Sequence, residues 1–437
     1  MPSMELIVTL TLFAFTFGQT SAQIFSYQPE QVHISFGKNV SEVVVTWSTF
    51  NDTQESLVEY GIGGMILQEK GASKVFIDGG SASHTQYIHT VTLKNLSPNS
   101  KYVYHCGSNM GWSAEFWFNT VPTDENWSPS LAIYGDMGNE NAQSLGRLQE
   151  ETQRGLYDAI LHVGDFAYDM NTNNAEVGDQ FMRQIESVAA YVPYMTCPGN
   201  HEEKYNFSNY AARFSMPLGN DIPYFSFNLG PLHIISISTE LYYFMNYGMK
   251  ALVNQYEWLV NDLKEATLPE NRIKRPWIII MGHRPMYCSD DDSDDCRHFE
   301  TLTRVGLPFL HFFGIEPLMY DYGVDLAIWA HEHSYERLWP LYDYKVYNGS
   351  YEAPYVNPKA PVHIITGSAG CKEGTDTFVK PQPNWSAFVT SDYGYTRMKA
   401  FNKTHLYLEQ VSDDKQGAIV DTFWIVKDLH VPYKDLK

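Results

Sequence analysis

The spacing of apolar residues changes its period near residue 121, and that change constrains the fold more than any other feature of the chain. Before it, short alternating runs are bounded by turn residues, with no helical spacing. Glu42–Trp47, Tyr87–Leu93 and Tyr102–Cys106 each read as a strand, and 95–100 reads as a turn. About a hundred residues of this pattern predict an all-β sandwich over residues 23–121. After it, five short apolar runs have the character of buried strands: Leu131–Tyr134, Ala159–Val163, His233–Ile237, Trp277–Met281 and Asp325–Trp329. Between them Phe181, Met182, Ile185, Val188 and Ala189 fall at helical spacing, as do Tyr256, Leu259, Val260 and Leu263. The expectation is a two-domain α+β chain, joined by the linker Val121–Pro129, with an α/β layered domain over 122–437. In such a domain chemistry collects where strands end.

Composition narrows the compartment and the partners. The chain has 437 residues, with 30 Lys+Arg against 51 Asp+Glu, a formal charge of −21. Apolar residues make up 44% and aromatics 15%, which excludes a disordered chain. No basic footprint is visible, which disfavours nucleic acid as a partner. Leu6–Phe17 is apolar but too short to span a bilayer, and it leads into Thr20-Ser21-Ala22. Residues 1–22 are therefore expected to be an export signal, with the mature chain starting at Gln23 and destined for the extracellular fluid or the lysosome. No later window would span a membrane. Asn39, Asn51, Asn206, Asn348, Asn384 and Asn402 are candidate glycosylation sites; the sequons at Asn95 and Asn126 are followed by proline and are poorer acceptors. Of five cysteines, Cys288 and Cys296 enclose a short acidic loop and predict a local disulfide. Cys106, Cys197 and Cys371 allow one further pair and leave one thiol over.

The strand ends carry a collected set of donors. Gly135-Asp136-Met137-Gly138 follows the first strand of the second domain, and Gly164-Asp165-Phe166-Ala167-Tyr168-Asp169 follows the second. Pro198-Gly199-Asn200-His201-Glu202 follows Tyr194–Cys197, Gly282-His283-Arg284-Pro285 follows Trp277–Met281, and Ala330-His331-Glu332-His333 follows the last. Singly each is weak, because an Asp-x-Gly is usually a turn and a strand-end His usually a satisfied polar group. In this order they present Asp, Tyr, Asn and His at five strand ends. Cysteine is absent from these positions, which disfavours structural zinc and favours catalytic metals held by nitrogen and oxygen.

This ordered set resembles the purple acid phosphatases of the calcineurin-like metallophosphoesterase superfamily, whose pattern is DxG, GDxxY, GN(H), a later strand-end His, then GHxH. Leu96, Pro98, Tyr102 and Tyr104 resemble the strand E–F corner of fibronectin type III domains, the fold of the N-terminal domain in long, plant-type members. Residues 361–430 resemble the family's C-terminal segment. The resemblance implies a fibronectin III-like sandwich followed by a metallophosphoesterase domain, acting on small phosphorylated substrates. It implies a ferric site of Asp136, Tyr168 and His333, a divalent site of Asn200, His283 and His331 taking Zn, Fe or Mn, and Asp165 bridging the two. Gly138 stands where most of the superfamily has a histidine, and the Tyr168 phenolate would fill that gap and colour the protein purple. The implied reaction is attack of a metal-bound hydroxide on a phosphate monoester. Asn200 and His201 would contact substrate, while His201 and His298 would orient the phosphate and protonate the leaving alkoxide.

Two departures from the family pattern stand out. Ala330 replaces a glycine, which matters only if that backbone needs a positive φ or a close approach. Ser289–Asp295 carries five aspartates in seven residues and reads either as a solvated loop or as a lid repelling highly charged substrates. The same donors could serve a phosphodiesterase or nucleotide pyrophosphatase. A vestigial site would instead make the chain a non-catalytic, metal-binding secreted glycoprotein, against which the seven intact ligand positions argue. A Cys-x5-Arg loop is absent, which disfavours a cysteine- or serine-nucleophile phosphatase.

Overall fold

The computed structural model describes residues 26–219, 221–293 and 295–436, so the expected export signal lies outside the described residues. The N-terminal unit is two antiparallel sheets. In one, Val43–Thr49 pairs with Glu30–Phe36 and with Thr85–Leu93, which in turn pairs with Ala72–Ile77. In the other, Lys101–Ser108 pairs with Leu57–Gly61, Gly111–Trp112 and Phe116–Asn119. Alternate side chains turn inward, so Val32, Ile34, Val43, Val45 and Trp47 share a core with Val58, Tyr102, Tyr104 and Phe118. The Ser97 N–H donates to the Tyr102 hydroxyl at 2.8 Å, tying the preceding turn to its strand.

The second domain places two mixed sheets together. The six-stranded sheet runs Tyr194–Cys197, Ala159–Val163, Ser130–Tyr134, Gly394–Ala400, His405–Ser412 and Ala418–Val426, the first three parallel and the rest antiparallel. The seven-stranded sheet has a parallel centre of Leu232–Ser236, Trp277–Met281, Leu326–Trp329 and Val362–Thr366. These strands read as unbroken apolar runs because both faces are covered. Within Trp277–Met281, for example, Trp277, Ile279 and Met281 enter a core that includes both sheets. Ile278 and Ile280 pack instead with Leu252, Leu259 and Leu263 of the helix Met249–Ala266. The helix Glu176–Ala189 buries Phe181, Met182, Ile185, Val188 and Ala189, the face its spacing predicts.

All five cysteines are placed. Cys288 and Cys296 are joined, whereas Cys106, Cys197 and Cys371 are buried thiols, so the further pair that three cysteines allow does not form. Of the candidate glycosylation sites, Asn39, Asn206, Asn384 and Asn402 are exposed, while Asn51 and Asn348 are half-buried. Among the described residues no helix is long and apolar enough to cross a membrane.

Candidate metal centre

The five donor segments converge at the strand ends of the two sheets. Asp136, Asp165 and His283 are buried, and Tyr168 is 1% exposed. The Tyr168 hydroxyl donates to Asp136 Oδ1 at 3.1 Å and lies 2.6 Å from His333 Nε2. His333 Nε2 is itself 3.7 Å from Asp136 Oδ1. Beside this trio, His283 Nε2 lies 3.1 Å from Asn200 Oδ1 and 3.1 Å from Asp165 Oδ2. One donor atom each from Asp165, His283 and His331 lies within 4.8 Å of the others. The structure thus brings together Asp136, Asp165, Tyr168, Asn200, His283, His331 and His333.

Local backbone geometry explains how strand ends deliver these groups. Asp136, Asp165, Tyr168 and His331 have φ of 56°, 52°, 55° and 72°, a left-handed conformation that turns the chain sharply and is disfavoured for residues with a Cβ. Gly164 has φ +85°, and a Cβ there would stand 2.5 Å from His283 Nδ1. Ala330 is not among the residues of positive φ, and the room its methyl needs comes from Gly135, whose added Cβ would lie 2.4 Å from it. The missing family glycine is therefore matched by a glycine opposite.

Hydrogen bonds around the donors fix their orientation. His283 Nδ1 donates to the Val163 carbonyl at 2.8 Å, which leaves Nε2 as the lone-pair atom turned to the centre. The His331 N–H donates to Asp136 Oδ2 at 3.0 Å. Glu202, which the sequence pattern contains but does not single out, is buried. Its Oε2 accepts from the N–H groups of Asp165 and Gly199, both at 2.9 Å, and its Oε1 from that of Phe166 at 3.1 Å. It locks two donor loops together. Its sequence signal is position alone, two residues after Asn200. Cys371 is also beside the centre, with Sγ 3.5 Å from His333 Nδ1.

The electrostatics suit cations. Burial, reinforced by Asp165, pushes the Asp136 carboxyl well above the usual range. Burial would raise Asp165 too, but His283 and His201 outweigh it and hold the group well below. Two buried carboxylates so close cannot both be ionised without positive charge between them. With nitrogen, carboxylate, amide and phenol donors and no thiolate among the seven, the set fits a pair of metal ions of hard to borderline character.

His201 and His298 part company. The His201 N–H donates to Asp165 Oδ1 at 3.0 Å, its Nδ1 meets Asp169 Oδ1 at 2.9 Å, and its ring lies 4.4 Å from that of Tyr168. Burial pulls its pKa down, but Asp165 and the Asp169 bond lift it to about 9. His298 lies outside the cluster: it is exposed, and its backbone carbonyl accepts from the Tyr344 hydroxyl at 3.3 Å.

Comparison with known proteins covers most of the chain. The calcineurin-like phosphoesterase family matches residues 129–335. The N-terminal domain of purple acid phosphatases matches 29–120, and the iron/zinc purple acid phosphatase-like protein C family matches 360–422. Acid phosphatase type 7 of Danio rerio is 57% identical over 416 residues, covering 93% of both chains. That of Homo sapiens is 53% identical, covering 96% of this chain and 95% of its own length. The structure of purple acid phosphatase PPD1 from yellow lupin (Lupinus luteus) seeds superposes with a TM-score of 0.78 at 26% identity, over 92% of this chain and 75% of that one.

Proposed function

This chain belongs to the purple acid phosphatase family, and on that premise we propose that it hydrolyses phosphate monoesters at a pair of metal ions held by the seven strand-end donors. Asp136, Tyr168 and His333 would hold a ferric ion. Asn200, His283 and His331 would hold a divalent one, Zn, Fe or Mn, with Asp165 between the two. When bound, such a pair polarises phosphoryl oxygens and supplies water acidic enough to act as a nucleophile.

The chain's own groups do the positioning. The Val163 carbonyl and Glu202 keep His283 and the Asp165 loop in place, so the donors need little rearrangement. His201 carries the proton. Asp169 engages its Nδ1, which leaves Nε2 to hydrogen-bond the phosphate and to protonate the departing alkoxide. Because His298 is exposed, proton donation is assigned to His201 alone. Small phosphorylated compounds are the substrate class, and the metal charges supply the local positive potential that a protein of formal charge −21 lacks.

The observation that carries this reading is Tyr168, a buried phenol within reach of both Asp136 and His333. Metal analysis and a visible spectrum test it: iron with a phenolate charge-transfer band is expected. A colourless protein without iron, still active on monoesters, would sink the ferric assignment. We also place the enzyme in an exported compartment, a reading supported by the Cys288–Cys296 disulfide and the exposed Asn39, Asn206, Asn384 and Asn402.

A further inference from the structure

The acidic loop is solvated at Asp291, Asp292 and Ser293, which are exposed, but its first two residues, Ser289 and Asp290, turn inward. The Ser289 N–H and hydroxyl donate to Glu336 at 2.8 and 2.7 Å. Asp290 is fully buried and bridges to Phe378, while the Asp291 N–H donates to the Thr377 carbonyl at 2.6 Å. The Asp290 carboxylate thereby meets Glu332, which is buried, and Asp376, which is half-buried. One oxygen from each lies within 4.8 Å of the other two. Three carboxylates brought this close repel one another where little water is left to screen them.

A second observation, separate from the clustering, points to an occupant. Both Asp290 oxygens are buried without a hydrogen bond of good geometry among the described residues, and the Ser334 hydroxyl beside them is the neighbour that supports the charged carboxylate. Buried polar atoms are almost always well satisfied, so a fully buried carboxylate with one hydroxyl for support needs an explanation. Burial first, and Glu336 second, push the Asp290 carboxyl up to about 8, and Asp376 and Asp292 add to the same repulsion.

We propose that Asp290, Glu332, Asp376 and Ser334 form a cation site, apart from the dinuclear centre, that takes a hard divalent ion, calcium in the first instance. Every donor is oxygen, which selects calcium or magnesium over zinc. Oxygens bound to calcium at roughly 2.3–2.6 Å stand up to about 5 Å apart across the ion, a spacing this cluster meets. Half-exposed Asp376 is the side from which the ion enters. The ion would join the disulfide loop, the 332–334 strand end and the 376–378 segment. Because the His333 N–H donates to Asp376 Oδ2 at 2.5 Å, that junction also steadies a donor of the catalytic pair.

The test uses the full chain with its metal pair in place, freed of loosely held ions and titrated with calcium and, separately, magnesium while ions per chain are counted. One calcium beyond the pair is expected, with a higher melting temperature. Asp290→Asn should weaken its binding at least about tenfold while keeping the pair and its visible spectrum. Infrared difference spectroscopy needs no variant: the band of a buried protonated carboxyl, present without calcium, should vanish when calcium is added. No third ion, a third ion held equally by Asp290→Asn, or a carboxyl band indifferent to calcium would each overturn the site. The occupant would then be a proton shared among the carboxylates.

Discussion

At the scale of single residues, four of the seven donors sit in backbone conformations that disfavour a side chain: Asp136, Asp165, Tyr168 and His331. Such strain persists only where the surroundings over-determine it, and here Glu202 and the strand ends do so. Tyr168→Phe removes one donor atom and leaves the fold's packing intact. It should abolish the visible band and lower iron retention, measured by absorption and metal analysis, while melting changes by only about 1 kcal/mol; unchanged colour would refute the assignment of this phenol. His89 gives a different prediction. Its ring stacks on Trp47 at 5.0 Å, and its two nitrogens meet Thr49 and Ser56 hydroxyls, each at 2.8 Å. Burial lowers its pKa to about 4. A depressed folded-state value means that the stability it gives is present above about 6.5, the unfolded value, and is lost as pH falls toward 4. His89→Gln should therefore flatten the pH dependence of stability between those limits by up to about 1.4 kcal/mol per pH unit, read from denaturant melts. Parallel curves for variant and wild type would count against it. The donors were legible in the sequence because their motifs end strands. Glu202, Asp169 and Cys371 were not singled out, because their roles come from loops distant in sequence.

At the scale of elements, the period of the apolar pattern located the buried strands because each lies between two covered faces. Trp277–Met281 and Ala159–Val163 match their predicted bounds. The helix Leu145–Gln153 shows no apolar period in the sequence, since Leu148 is its one buried large aliphatic residue and the rest of its inward face is Glu151 and Thr152. Of the three C-terminal strands, Gly394–Ala400 pairs with Ser130–Tyr134, far away in sequence, and the other two extend the sheet from it, so no local pattern announces that they join the first sheet. The turn after Ala159–Val163 is where an element dictates chemistry. Gly164→Ala would put a Cβ 2.5 Å from His283 Nδ1, at a φ of +85°. Displacing that ring by even about 1 Å should lower kcat roughly a hundredfold and loosen the divalent ion more than the ferric one. Ala330→Gly, by contrast, should leave kcat within about twofold, because Gly135 already leaves room for the larger residue. If the two variants behaved alike, the steric account would fail.

At the scale of the molecule, the two domains share structure instead of merely adjoining. The sandwich core includes Ala190, and the Tyr104 hydroxyl donates to the Ala190 carbonyl at 2.7 Å. The Val32 N–H donates to Glu186 Oε2 at 2.8 Å, on the helix that also packs beneath the catalytic sheet. The sequence marked the boundary but not this coupling, since no local pattern encodes it. A buried ion network likewise ties the two catalytic sheets. Lys427, just past the last strand of the first sheet, lies 2.6 Å from Asp325 Oδ1, just before a strand of the second. Arg272 lies 3.3 Å from Asp325 Oδ2, which also accepts from the Ile278 N–H at 2.9 Å. Burial would raise Asp325, but Lys427 and Arg272 together hold it well below the usual carboxylate range. A depressed carboxylate contributes stability above its unfolded value, about 3.9, and loses it only at lower pH. Lys427→Met keeps the volume of the side chain and removes its charge, leaving Asp325 undercompensated. The variant should lose about 3–5 kcal/mol near neutral pH and narrow that deficit as pH falls, because its Asp325 now takes up a proton more readily. Calorimetry across that range checks both parts. A variant as stable as wild type near neutrality, or one whose deficit widened toward acid, would mean that the sheets are held by apolar packing alone and that the buried pair only breaks even.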